Sequence, residues 1–411
     1  MGTRIDKTVL ANGLTVISQS VPAVRSVAVG IWIKTGTRYE NKNNNGIAHF
    51  LEHMVFKGTE NFSALRIAQA LEEVGGSLNA YTSKELTVYY THSLDSHLKK
   101  SVRLLADLVC RPLLREKDVQ KEKSVVLEEI STVKDTPDEL VFDLFHEKLF
   151  PEQSIGFPIL GTEETVRSFS QDQIVDFWRR FYCPENMLLS AAGNLKHEQL
   201  VRWAESYFTF SNHCQPMKLP PPKAARHVRF EEKEAVNQSH ICAGIEGLSY
   251  LSDERYQLVA LNSYLGGGMS SRLFQVVREK YGLAYSVYSY ADFYRDTGVL
   301  CFYMGTEKSR HRQAEELLFE EIERVRKKPL SKTTVSRLRE QLKGNYLLGL
   351  ESMHQRMSRM AKNELYYGRQ ISLDELIHQK IEAITPESLL EIARKIFIID
   401  HFNIVELNPD A

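Results

Sequence analysis

The chain has 411 residues, of which 43% are apolar and 26% are charged, a composition typical of a globular protein. The 52 lysines and arginines nearly balance the 53 aspartates and glutamates. The sequence has no long basic run, which argues against a nucleic acid partner. The chain has more residues than one hydrophobic core typically supports, which predicts two domains of roughly 200 residues each.

The N-terminal residues carry no recognisable targeting signal. The stretch MGTRIDKTVL lacks the apolar core of a secretory signal, and Asp6 stands where a myristoylation signal has Ser or Thr. The longest apolar run, SVAVGIWI, is too short to span a bilayer. Five scattered cysteines without a C-x-x-C pair argue against a disulfide framework and predict a reducing compartment. We expect a protein of the bacterial cytoplasm, with the mitochondrial matrix, after removal of a presequence, as the alternative.

The first half alternates strand and helix patterns. SVAVGIWIKTG predicts a buried strand, and NGIAHFLEHMVFK and SALRIAQALEEVG predict helices. SLNAYTSKELTVYYTHS predicts a strand pair, and HLKKSVRLLADLVCRPLL predicts a helix that ends at Pro112.

The second half repeats this order after a Pro-rich stretch, SNHCQPMKLPPPKAARH, at residues 211–227. Three successive prolines cannot continue a helix or a central strand, so this stretch is the predicted linker. The recurring order of strand, helix, strand pair and long helix predicts two copies of one α+β unit. We therefore expect an N-terminal domain at 1–210 and a C-terminal domain at 228–411.

The stretch GIAHFLEHMVFKGT contains an H-x-x-E-H motif on a predicted helix. Successive helical residues turn through about 100°, so His49, Glu52 and His53 fall on one face. Two imidazoles there can share one Zn²⁺ ion, and Glu52 is a candidate general base. The alternative is that these residues are the solvent-facing side of an ordinary amphipathic helix.

A zinc site of this kind needs a third protein ligand, and the stretch QKEKSVVLEEI offers one. On a helix Glu122 and Glu129 share a face, whereas Glu128 points away. A solvated run of charges is the alternative. The aliphatic part of the stretch favours a role near buried surface, where a carboxylate needs a partner.

Together these motifs resemble peptidase family M16 over nearly the whole chain, most closely the mitochondrial processing peptidase β subunit and its bacterial relatives. The resemblance implies two similar α/β-roll domains arranged as a clamshell. It also implies one zinc ion per chain, held by His49, His53 and Glu129. Glu52 would be the general base and Glu122 a second acidic residue that supports catalysis.

The same resemblance implies residues for the substrate. The segment Asn79-Ala80-Tyr81-Thr82-Ser83 matches a strand edge on which the family binds extended peptides, a case of β-augmentation. A normally paired strand is the alternative. Arg278 and Tyr285 resemble an Arg and a Tyr that reach the scissile region from the non-metal half and stabilise developing negative charge. The alternative is a surface ion pair of Arg278 with Glu279 and a core position for Tyr285.

The function predicted from these residues is that of a zinc-dependent endopeptidase acting on extended peptides or presequences. One alternative is a non-catalytic partner subunit of a heterodimeric peptidase, and another is a metallohydrolase with a non-peptide substrate. The triple glycine at 266–268 is not followed by a phosphate-binding lysine, which argues against an NTPase. The resemblance implies a homodimer or a heterodimer with a paralogue.

Overall fold

The computed structural model describes residues 4–210, 213–214, 217–234 and 236–409. Within them the strands are β1 (Ile5–Val9), β2 (Thr15–Ser20), β3 (Ser26–Ile33), β4 (Ser77–Thr82), β5 (Thr87–Leu94), β6 (Met187–Gly193), β7 (Arg229–Glu234), β8 (Ser239–Glu246), β9 (Ala284–Phe293), β10 (Gly298–Thr306) and β11 (Asn403–Pro409). The α-helices are α1 (Ile47–Val55), α2 (Ala64–Glu72), α3 (Leu98–Cys110), α4 (Glu116–Lys134), α5 (Pro137–Leu149), α6 (Glu163–Ser168), α7 (Gln171–Phe181), α8 (His197–Tyr207), α9 (Arg255–Gly266), α10 (His311–Lys327), α11 (Lys332–Gly349), α12 (Met353–Tyr367) and α13 (Pro386–Ile396). Two further segments, Phe274–Lys280 and Glu375–Ile381, are π-helical.

The backbone packs into two units, each built from three segments of chain. Among the described residues the first unit contains 4–131, 157–219 and 347–370. The second contains 132–156, 220–346 and 371–409.

The first unit is built on a six-stranded sheet in the order β1-β2-β6-β3-β5-β4. β2 and β6 are parallel, and the other neighbours are antiparallel. The central strand β3 is a nearly continuous apolar run because helices cover both of its faces. Val29 and Ile31 face the core that contains α1, whereas Ala28 and Trp32 face Met357 of α12.

The second unit repeats the topology of the first. Its sheet has the order β7-β11-β8-β10-β9, with β7 parallel to β11 and the other neighbours antiparallel. The five strands correspond in order and direction to five strands of the first sheet: β7 to β2, β11 to β6, β8 to β3, β10 to β5 and β9 to β4. The predicted α+β class and the likeness of the two halves are confirmed.

The two units exchange one helix each. α5 belongs to the second unit, where Val141 and Phe145 pack against Cys242 and Val405. α12 belongs to the first unit, although it follows most of the second in sequence. The units therefore differ from the contiguous ranges 1–210 and 228–411, because each range gives one helix to the other sheet.

The predicted linker, 211–227, lies partly outside the described residues, and its described part from 217 to 227 contains neither helix nor strand. Cys183 and Cys214 form a disulfide with a Cα–Cα distance of 6.0 Å. The argument against a disulfide framework, made from the scattered cysteines, did not anticipate this pair. Their separation of 31 residues gave no sign of proximity, which arises because the chain returns past Cys183 after α8. None of the described helices is long and apolar enough to cross a membrane.

Candidate active site

α1 presents the three motif residues on its less buried face. Ile47, Phe50, Leu51 and Met54 are buried in the core of the first unit. His49, Glu52 and His53 are only partly buried. The amphipathic pattern therefore seats the helix on the core and turns the motif outward, as the spacing predicts.

α4 brings two of its carboxylates to the same place. Glu122 is buried at 3% exposure, and Glu129, two turns later, is partly exposed. Glu128 is exposed, as expected for a residue that points away from this face.

The ligand atoms of His49, His53 and Glu129 lie within 4.8 Å of one another. The His49 Nε2 atom is 3.8 Å from Glu129 Oε2, and the His53 Nε2 atom is 3.7 Å from Glu129 Oε1. Two ligands of a tetrahedral zinc ion, each about 2.1 Å from the metal, are roughly 3.4 Å apart. Glu129 Oε2 is buried and has no hydrogen-bond partner among the described residues. The three side chains therefore fit a zinc ion.

Glu122 orients one of the imidazoles. The Nδ1–H group of His53 donates a hydrogen bond of 2.8 Å to Glu122 Oε1, which directs Nε2 toward Glu129. Lys57 forms an ion pair of 2.6 Å with the other oxygen of Glu122. Burial raises the pKa of Glu122, but the bonds from His53 and Lys57 outweigh it, so the pKa lies below its ordinary value. Glu122 thus contacts a candidate ligand.

The two imidazoles differ in their electrostatics. Burial, aided by the neighbouring His53, lowers the pKa of His49 to about 3, so its ring is neutral. Burial also lowers the pKa of His53, but the hydrogen bond to Glu122 and the charges of the nearby glutamates reverse the shift and raise it. Such an excess of carboxylates around the two imidazoles suits a divalent cation.

Glu52 lies beside this cluster and is held by the edge strand. The Thr82 hydroxyl donates a hydrogen bond of 2.6 Å to Glu52 Oε2. Burial raises the pKa of Glu52, and the bond from Thr82 and the charge of His53 lower it without cancelling the effect. A carboxyl group with a raised pKa can take up and release a proton closer to neutral pH.

The structure places the segment from Asn79 to Ser83 at the edge of the first sheet. β4 is the last strand in the order and pairs only with β5 among the described strands. Asn79 is exposed, and Ala80 packs against the core that contains α1. Tyr81 lies on the opposite face, with its ring 6.4 Å from that of Trp32. The alternative of a strand paired on both sides does not apply within the described residues.

Arg278 and Tyr285 lie together in the second unit, separate in sequence and unit from the cluster above. The Arg278 guanidinium stacks over the Tyr285 ring at 4.8 Å and over the Phe274 ring at 4.7 Å. It also forms an ion pair of 3.7 Å with Glu279. Both residues line a cavity of about 300 Å³, and Tyr285 is 75% exposed.

Sequence reasoning missed two supporting contacts. Lys57 lies in the turn that follows α1, and nothing in the sequence pairs it with Glu122. Thr82 was expected only as part of the peptide edge, and its bond to Glu52 joins two elements 30 residues apart.

The fold and this cluster define a metallopeptidase of two related units, and comparison with known proteins gives the family. A model described as Insulinase (Peptidase family M16) matches residues 15–163, and one described as Peptidase M16 inactive domain matches residues 168–342. The chain belongs to peptidase family M16, which confirms the resemblance at the level of the family.

Individual relatives support this assignment. The Bacillus subtilis protein named uncharacterized zinc protease YmxG is 40% identical over 391 residues, which cover 95% of each chain. An uncharacterized zinc protease of Streptomyces coelicolor is 38% identical over 400 residues, covering 95% of this chain and 87% of that one. The crystal structure of a protease from Helicobacter pylori matches with a TM-score of 0.91, at 22% identity and over 100% of both chains, which shows the shared fold.

Proposed function

We propose that this protein is a zinc-dependent endopeptidase that hydrolyses extended peptides. The observation that carries the proposal is the convergence of His49, His53 and Glu129 within 4.8 Å, with the carboxyl group of Glu52 beside them. The bacterial relatives, which carry the name uncharacterized zinc protease, support the same activity.

His49, His53 and Glu129 would hold one zinc ion in each chain. Bound zinc acts as a Lewis acid and lowers the pKa of water in its open position. Glu122 keeps the His53 ring oriented, and Lys57 balances the charge of Glu122. These contacts leave Nε2 of His53 free to act as a ligand.

Glu52 is the proposed general base and acid. Its carboxylate accepts a proton from the attacking water and later delivers that proton to the leaving amine. Thr82 fixes one carboxylate oxygen, so the other is the oxygen that exchanges the proton.

The open edge of β4 is the proposed binding surface for the peptide backbone, with Asn79, Ala80 and Tyr81 along it. Main-chain hydrogen bonds to such an edge bind many sequences in one extended conformation. Arg278 and Tyr285 are proposed to contact the scissile region, because the exposed Tyr285 hydroxyl and the Arg278 cation are suitable donors for an oxyanion. A non-catalytic partner subunit is the alternative function, and the complete set of metal-binding side chains weighs against it.

We propose a dimer, either of identical chains or with a paralogue, on the strength of the family resemblance alone. We propose the bacterial cytoplasm over the mitochondrial matrix because the relatives are bacterial, and the Cys183–Cys214 disulfide weighs against a reducing compartment.

The decisive experiment compares wild type with Glu52→Gln for bound zinc and for cleavage of a quenched peptide library. We expect zinc to be retained and turnover to fall by about 10²- to 10⁴-fold, because glutamine cannot accept the proton. Glu128→Gln, which changes an exposed carboxylate on α4, is the control and should behave as wild type. A wild-type protein without zinc, or a Glu52→Gln variant with full activity, would contradict the proposal.

A further inference from the structure

The N-terminus of the motif helix is capped by a residue outside that helix. Three donors at the start of α1 point at the carboxylate of Glu40. The backbone N–H of Gly46 and the side-chain amide of Asn45 donate to Oε2 at 2.8 and 2.9 Å. The backbone N–H of Ala48 donates to Oε1 at 2.8 Å. Glu40 therefore satisfies donors of the first helical turn that have no partner within the helix.

No local side chain can take over this role. The N-cap position is Gly46, which has φ of 92° and makes no side-chain cap. A Cβ atom there would lie 2.5 Å from the carbonyl oxygen of Leu160, so the usual capping residues Ser, Thr, Asp and Asn are excluded. α1 has only nine residues, and a helix this short is marginal without tertiary support at its ends.

The two candidate imidazoles differ in how they are held. His53 is oriented by its hydrogen bond to Glu122. The Nδ1 atom of His49 is buried and has no hydrogen-bond partner among the described residues. The direction of the His49 ring therefore depends on the backbone from which it projects, and His49 directly follows Ala48, whose N–H is bound by Glu40.

We propose that Glu40 is a positioning residue for the metal site: by fixing the first turn of α1, it sets the place of the His49 imidazole. This inference rests on the proposed function, in which His49 is a zinc ligand. It gives the site two positioning carboxylates, Glu122 for His53 and Glu40 for His49.

The surroundings of Glu40 are built to hold it still. The residue is 7% exposed and follows a short helical turn, Thr37–Tyr39. In that turn Arg38 forms a buried ion pair of 2.5 Å with Glu85, and its backbone N–H binds the carbonyl of Lys84. Because its backbone is held in this way, Glu40 fixes the position of the first turn of the helix that it caps.

The test is a zinc affinity measurement on Glu40→Gln by competition with a chromophoric chelator. The amide has one acceptor oxygen and presents an NH₂ group to the remaining backbone donors, so the cap is lost on one side. We expect the zinc dissociation constant to rise about 10- to 100-fold, the range typical of outer-shell partners of metal ligands. The absorption spectrum of the Co²⁺-substituted protein should change as well, since the geometry around His49 changes.

Glu321→Gln is the matched control. Glu321 is equally buried at 7% exposure, but it pairs with Arg272 in the second unit. We expect this variant to keep the wild-type zinc affinity and Co²⁺ spectrum, even where its melting temperature falls.

Glu40→Asp serves if Glu40→Gln does not fold, because aspartate keeps the carboxyl group but is shorter by one methylene and cannot span both sides of the cap. A folded Glu40→Gln or Glu40→Asp variant with wild-type zinc affinity and an unchanged Co²⁺ spectrum would overturn the role of Glu40. Wild-type protein that takes up neither metal would instead overturn the proposed function.

Discussion

The hydroxyl of Thr82 donates a hydrogen bond of 2.6 Å to the carboxylate of Glu52. It lies on β4, so one side chain connects the proposed peptide edge to the proposed general base. A hydrogen bond to a charged group contributes about 1.5–3 kcal/mol, and this bond holds Glu52 in one orientation.

We expect Thr82→Val to lower kcat by roughly 10- to 100-fold with little change in KM or bound zinc, because the mobile carboxylate is aligned less often. Thr82→Ser, which keeps the hydroxyl, should restore most of the rate. Steady-state kinetics on one peptide substrate and a zinc assay measure both effects. Equal loss of activity in the valine and serine variants would show that the hydroxyl is not the important group.

Glu40 also makes stability depend on pH. Burial raises its pKa from 4.5 to about 7, opposed by its bonds to Ala48, Gly46 and Asn45 and by the charge of Lys84. The folded state therefore holds the proton at pH values where the unfolded chain has lost it. This contribution to stability is complete below pH 4.5 and is lost as the pH rises through 7, and it amounts to about 3 kcal/mol.

Denaturation of the metal-free protein at several pH values between 4.5 and 8 measures this contribution. The free energy of unfolding of wild type should fall across the interval relative to that of Glu40→Gln, which has no ionisable group at this position. Parallel pH profiles for the two proteins would show that Glu40 does not take up a proton on folding.

At the residue scale, the sequence predicted the site residues that share one face of a single helix, because helical spacing alone brings them together. His49, Glu52 and His53 share a face of α1, and Glu122 and Glu129 share a face of α4. Contacts between elements were not predictable in this way. The hydrogen bonds from Thr82 to Glu52 and from Ala48 to Glu40 depend on how separate elements pack. Periodicity within one element gives no information about that packing.

At the scale of elements, α12 has the most unexpected position. Met353, Met357 and Met360 pack on the face of the first sheet that contains Trp32. The Ser190 hydroxyl of β6 also donates a hydrogen bond of 2.9 Å to the Met357 carbonyl. An element of the C-terminal half is therefore part of the core beneath the motif-bearing unit.

We expect Met357→Ala to destabilise the first unit by about 2–5 kcal/mol, because it removes a fully buried side chain and leaves a cavity. The three tryptophans, Trp32, Trp178 and Trp203, all belong to the first unit, so their fluorescence reports its unfolding. Met269→Ala, at a position 76% exposed, is the control and should leave the transition unchanged. The same midpoint for both variants would place α12 outside the core of the first unit.

The strands and helices that hydrophobic periodicity predicted, from SVAVGIWIKTG to HLKKSVRLLADLVCRPLL in the first half, occur in the predicted order. The exchange of α5 and α12 did not follow, because an apolar helical face indicates that a helix is buried and not which sheet buries it. For the same reason the contiguous domain ranges did not anticipate the three-segment units.

At the scale of the whole molecule, the repeated sheet order shows two copies of one architecture with different surfaces. The first copy presents His49, His53 and Glu129 together, and the second presents Arg278 and Tyr285 at a cavity. The order and direction of five strands are the same in both. Sequence reasoning could identify the repeat from its recurring elements, but only the family resemblance assigned a role to the second copy.

A fragment that ends at residue 219 should not fold by itself. It lacks residues 347–370, which cover the Trp32 face of the first sheet, and a large apolar surface would be exposed. We expect the fragment to aggregate, and to become soluble with native tryptophan fluorescence when residues 347–370 are fused to its end by a flexible linker. A soluble fragment 1–219 with native fluorescence and bound zinc would contradict this expectation.

The exchanged helix has a consequence for the order of events during synthesis. The ribosome completes the strands and the H-x-x-E-H helix early, but α12 leaves the exit tunnel only after residue 367 has been translated. Until then the first sheet has one bare face, so the nascent chain carries the metal-binding residues without a finished core. We therefore expect the first unit to complete its core, and with it the candidate metal site, only once α12 has been translated.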